Sequence, residues 1–61
     1  MKNLPYRLVW VRDFLIGSRT FTDFCPTAKN ALLKASVLEG QPGIHRVEVW
    51  NGETRLFLSV G

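Results

Sequence analysis

Asn51-Gly52 lies between two runs of alternating apolar and polar residues, Ile44 to Trp50 and Glu53 to Val60. No other feature of the chain constrains the fold as strongly. Asn-Gly between strand patterns is the strongest short-range hairpin signal, because a type I′ turn requires positive φ at both central positions. A loop of Asn51 and Gly52 sets Trp50 opposite Glu53, Glu48 opposite Arg55, Val47 opposite Leu56 and Arg46 opposite Phe57. Glu48 and Arg55 then form an opposite-charge cross-strand pair. The faces also separate. His45, Val47, Val49, Thr54, Leu56, Leu58 and Val60 are predicted to point to the core, and Arg46, Glu48, Trp50, Glu53, Arg55, Phe57 and Ser59 away from it.

Upstream, Cys25 to Glu39 reads as the one helix. Pro26 suits a first turn, where its missing N–H has no intrahelical partner to lose. Thr22 and Asp23 are the candidate N-caps. Gly40 is the expected left-handed residue after the helix, and Gln41-Pro42-Gly43 prevents continuation. At 100° per residue, Ala28, Ala31, Leu32, Ala35 and Leu38 form a core stripe. Its alanines allow the helix to approach a sheet closely. Leu33 and Val37 form a separate pair on nearly the opposite side. Either the Phe14-Leu15-Ile16 region folds over them, or they are ordinary exposed apolar residues, or they are a small contact patch.

Gly17-Ser18 marks a further hairpin, between strand-like residues Tyr6 to Ile16 and Arg19 to Thr22. Glycine first in a two-residue loop suits a type II′ turn. This register sets Phe14 opposite Phe21 and gathers Leu8, Trp10, Arg12, Phe14, Ile16 and Phe21 on the core face. Arg7, Val9, Val11, Asp13, Leu15, Thr20 and Thr22 take the other. The order of elements predicts a single α+β domain spanning residues 1–61, an antiparallel sheet with one helix packed on it in the order ββαββ. Without the Gly17-Ser18 hairpin, a three-stranded βαββ fold remains.

The residue inventory excludes most chemistry. A chain of 61 residues supports only a thin core and, as a monomer, hardly encloses a substrate pocket of usual volume. Cys25 is the single cysteine, so no internal disulfide staples the domain. Together with His45 it falls short of the four ligands of a structural zinc site. The carboxylates Asp13, Asp23, Glu39, Glu48 and Glu53 are scattered, and no pair is placed for acid–base work. Gly17, Gly40, Gly43, Gly52 and Gly61 each belong to a turn, a cap or an end, so there is no phosphate-binding loop. The chain is expected not to be an enzyme and to carry no cofactor or metal. Cys25 near a helix start and His45 on the core face are read as structural. Arg7, Arg12 and Asp13 interrupt the N-terminal apolar run, so no signal-peptide core is seen. No apolar stretch approaches the ~20 residues of a membrane span. The expectation is a soluble, cytoplasmic protein.

Net charge is +3, which suits solubility and permits, without requiring, attraction to polyanions. The basic residues, from Lys2 to Arg55, are dispersed rather than clustered. The sheet face away from the helix is the most informative surface. It is expected to carry Trp50, Phe57, Arg46, Arg55 and Glu48, with Arg7, Val9, Val11 and Leu15 beside them. Three uses compete: shielding of the aromatics under arginine stems, a protein interface, or a platform for single-stranded nucleic acid. The reading chosen is a small noncatalytic protein-interaction module, a homodimer or an accessory subunit using this face. Trp50 and Phe57 are its anchors, Arg46 and Arg55 orient the partner, and Leu33 and Val37 form a second patch. The alternative is nucleic-acid binding through the same face. Glu48 and Glu53 count against it, because they repel phosphate.

Overall fold

A computed structural model describes residues 4–60; Lys2 and Gly61, named above, lie outside them. The strands are β1 (Tyr6–Phe14), β2 (Gly17–Cys25), β3 (Ile44–Asn51) and β4 (Thr54–Val60), and the helix is α1 (Ala28–Glu39). All four strands join one antiparallel sheet in the order β2-β1-β3-β4. The fold is therefore the ββαββ α+β architecture that the element order predicts. β2 and β3 run in the same direction on either side of β1. Such a pair needs a long crossover, and α1 supplies it.

The first hairpin turns earlier than glycine suggested. Phe14 pairs with Gly17, and the loop is Leu15-Ile16 rather than Gly17-Ser18. Both loop residues are fully exposed. Gly17 still supplies the positive φ, +143°, but from beside the loop. The earlier turn lets β2 continue to Cys25, which pairs with Tyr6. It also stacks Trp10 on Phe21, with ring centroids 5.6 Å apart and planes 18° from parallel. Phe21 thus opposes Trp10, not Phe14. The slip is an even number of residues, so the residues that stay in the strands keep their predicted faces, whereas Ile16, predicted to face the core, is exposed at the hairpin tip.

The second hairpin slips by two residues at its turn, and a bulge then adds one more. Asn51 is the last residue of β3 and pairs with Thr54, leaving Gly52-Glu53 as the loop. Only Gly52 has positive φ, +60°, so the turn places glycine first, as in type II′. A bulge then follows. Trp50 pairs with Arg55 but Val49 with Phe57, and Leu56 is the extra residue. Glu48 consequently faces Leu58, Val47 faces Ser59, and Arg46 faces Val60. Beyond the bulge the faces of β4 are exchanged. Phe57 packs against the core from the helix side, while Leu58 and Val60 take the open side. A second bulge, at Val11/Arg12, pairs Arg12 with Ile44 and makes His45 the extra residue of β3. Ile44 thereby reaches the core, and His45, predicted to point inward, is exposed.

The helix starts later than predicted. Cys25 closes β2, and the residue before a proline favours extended backbone. Thr27, not Thr22 or Asp23, is the N-cap, with its Oγ1 accepting from Asn30 N at 3.2 Å. Gly40 is not left-handed (φ −83°). The last turn tightens instead, with Gly40 N donating to Val37 O at 3.3 Å and Gln41 N to Leu38 O at 3.0 Å. The positive φ falls at Gly43 (+84°), whose carbonyl accepts from Asp13 N at 2.8 Å and ties the connection to β1.

Leu8, Cys25, Ala31, Ala35, Val47 and Val49 form the buried core, with Tyr6, Trp10, Leu38, Ile44 and Phe57 packed around it. The predicted stripe holds for Ala31 and Ala35, while Leu32 stays at the margin, 40% exposed. Nothing among the described residues folds over Leu33 and Val37, since Leu15 and Ile16 project at the hairpin tip. No described helix is long and apolar enough to cross a membrane.

Candidate functional site: the open face of the sheet

Side chains on the face without the helix fall in cross-strand rows fixed by register. One row is Phe24–Arg7–Trp50–Arg55, the next Thr22–Val9–Glu48–Leu58, the next Thr20–Val11–Arg46–Val60. Trp50 is at the centre of the first row and is half-buried. Arg7 from β1 and Arg55 from β4 bring their guanidinium carbons to 5.5 and 5.8 Å from its ring centroid. Contacts of this kind stabilise both partners by cation–π attraction and cover the ring with the arginine stems.

Glu48 organises the polar part. Its Oε1 accepts from Trp50 Nε1 at 2.8 Å, and its Oε2 accepts from Arg46 Nε. Residues two apart on a strand share a face, so the sequence spacing Arg46, Glu48, Trp50 builds this chain of bonds directly. The Glu48 side chain is only 14% exposed. Burial raises its pKa, but the bonds from Arg46 and Trp50 and the charges of Arg46 and Arg55 outweigh that, and the carboxyl lies below its ordinary range.

The six residues singled out from the sequence do not make one surface. Arg46, Trp50 and Arg55 come together on the open face. Phe57 leaves it for the core, because of the β4 bulge. Leu33 and Val37 lie on the helix side, where they line an apolar groove of about 400 Å³ with Trp10, Leu8 and Leu38. In place of Phe57, the open face carries Phe24, Leu58 and Val60, which are 52%, 40% and 60% exposed. Phe24 was legible in principle, since it continues the alternation of Thr20 and Thr22. Leu58 and Val60 were not, because no residue type announces the bulge. Leu15 sits in the hairpin loop rather than on this face.

Among the described residues, no three His, Cys, Asp or Glu side chains gather in a metal-binding group. No buried side-chain polar atom lacks a hydrogen-bond partner there. No family model, curated protein or solved structure matches the chain.

Proposed function

We propose that the protein is a small noncatalytic protein-interaction module, working as a homodimer or as a docked accessory subunit, with the open sheet face meeting another protein. One observation carries this reading. Among the described residues nothing covers this face, yet Phe24, Leu58 and Val60 stay exposed around a polar centre already bonded to itself. Exposed apolar side chains gathered on one face suit a partner protein with its own apolar surface.

A nucleic-acid platform draws less support from the same geometry. Base stacking needs an accessible ring and phosphate binding needs free cations. Here Arg7 and Arg55 lie against Trp50, and Arg46 is paired with Glu48.

Sedimentation equilibrium across a wide range of concentration and salt, alongside a single-stranded oligonucleotide titration followed by tryptophan fluorescence, tests this reading. The expected result is association that persists at high salt, with no fluorescence response to the oligonucleotide. A monomer that binds the oligonucleotide, with affinity falling steeply as salt rises, overturns it.

A further inference from the structure

Among the described residues, β2 is an edge of the sheet and pairs with β1 alone. Phe24 N–H donates to the Asp23 carboxylate at 2.9 Å instead of joining the β1 ladder. Main-chain groups alternate in direction along a strand. Ser18, Thr20 and Thr22 therefore turn their N–H and C=O groups to the same free side as Phe24. The strand is nine residues long and contains neither proline nor lysine, two of the usual devices that discourage edge pairing. The helix packs mainly on β3 and β1 and touches β2 least, with Lys34 reaching Asp23.

The sequence of β2 is complementary to itself. Antiparallel pairing with a second copy must bring outward-turned residues together, so the axis must pass through a residue of the strand. Centred on Phe21, it sets Arg19 opposite Asp23 of the second copy and Thr20 opposite Thr22. Centred on Thr20 it sets Arg19 against Phe21, and centred on Thr22 it sets Asp23 against Phe21. Only the Phe21 register joins the charges.

The isolated chain leaves Arg19 in need of such a partner. It lies directly opposite Arg12, a like-charge pairing that destabilises a sheet. Arg12 has Gln41 Oε1 at 2.9 Å. Among the described residues, Arg19 has only the Phe14 ring, 6.0 Å from its guanidinium carbon. Asp23 accepts from Phe24 N and from Lys34 Nζ, the latter at 3.1 Å. A carboxylate has lone pairs for further donors, so Arg19 of a second copy adds to these bonds without displacing them. Phe21, already stacked on Trp10, would meet its own copy at the axis and extend the aromatic row across the seam.

We propose that a second copy of this chain pairs antiparallel with the free edge of β2 in the register centred on Phe21, making one continuous sheet with both helices on the same side. The inference rests on the protein-contact reading above and moves self-association from the sheet face to its edge. The open faces of the two copies are then adjacent and remain available to a different protein.

Charge reversal with complementation tests it. Arg19→Asp and Asp23→Arg each create like-charge contacts at both symmetry-related positions, and each is expected to weaken the dimer roughly tenfold or more. An equimolar mixture of the two variants restores opposite charges at both positions, and its mass is expected to return to that of a dimer. Thr22→Pro removes an outward N–H, a change an edge strand tolerates. It is expected to give a monomer with an unchanged far-UV CD spectrum.

A wild-type chain that stays monomeric at the highest attainable concentration overturns the edge seam and leaves the accessory-subunit reading standing. A dimer that ignores all three edge variants but dissociates on Leu58→Glu with Val60→Glu overturns the edge seam in favour of the face. A monomer that binds the oligonucleotide overturns both.

Discussion

On the helix side of the sheet, Leu8, Val47 and Val49 are buried beneath Ala31 and Ala35. On the open side, Trp50 is half-buried between Arg7 and Arg55, with its N–H on Glu48. Both sides remove apolar surface from water, by different means. The helix side does so through close packing of small and branched residues, where each methyl group counts. Among the described residues the open side has no second layer, and long charged side chains cover the indole while a carboxylate holds its N–H. Substitutions should therefore act through volume on one side and through charge and hydrogen bonding on the other.

The largest effect is expected at Leu8, which is 1% exposed. Leu8→Ala should cost about 2–5 kcal/mol. A domain of this length has a total stability of only about 3–9 kcal/mol, so urea titration followed by CD should find the variant at or near unfolding. A loss below ~1 kcal/mol would mean that the helix side relaxes as freely as the open side, and the contrast would fail.

Glu48 gives an intermediate effect. A glutamine keeps the shape but presents an NH₂ to one of the two donors that the carboxylate accepts, so Glu48→Gln should cost about 1–2 kcal/mol. The pH dependence sharpens the test. The folded carboxyl titrates below its ordinary value of 4.5. Its stabilisation is thus fully present above that value and is lost as pH falls through the lower folded value. Thermal melts between pH 6 and pH 2 should show a decline near the acid end of this window that is smaller in Glu48→Gln. Equal declines in the two proteins would remove Glu48 as the organiser of the open side.

The smallest effect is expected at the projecting hairpin tip, which belongs to neither side. Leu15 is fully exposed, and Leu15→Ser should change stability by no more than about 0.5 kcal/mol. A larger loss in the same melts would show that the tip packs against something in solution.

The sequence carried the element order because each element has its own local signal: alternation in the strands, the alanine stripe in α1, and glycines near both hairpin turns. Register was less legible. Both hairpins slipped from the positions their glycines suggested, with opposite consequences. The even slip at Leu15-Ile16 left Trp10 and Phe21 on the predicted face. The slip at the second turn was even too, but the bulge in β4 added one residue, which moved Phe57 into the core and brought Leu58 and Val60 out. Turn chemistry fixes a glycine to within a residue or so, whereas a face depends on parity, and a bulge changes parity without any marker residue. The Arg46–Glu48–Trp50 alignment was legible because it lies within one strand and needs no register. That Trp50 is half-covered depends on Arg7 and Arg55 flanking it, which only the pairing of β3 with both neighbours reveals.

Cys25 ends the edge strand at 1% exposure and is the chain's only thiol. No alkylating reagent reaches it without an opening of β2 or of the whole domain. When reclosing outpaces labelling, the rate of thiol modification measures the fraction of molecules open at that moment. The protein thus carries a built-in clock for its own excursions. A labelling free energy below the global unfolding value would reveal fraying of the β2 end, and slower labelling at higher protein concentration would show that association holds that end closed.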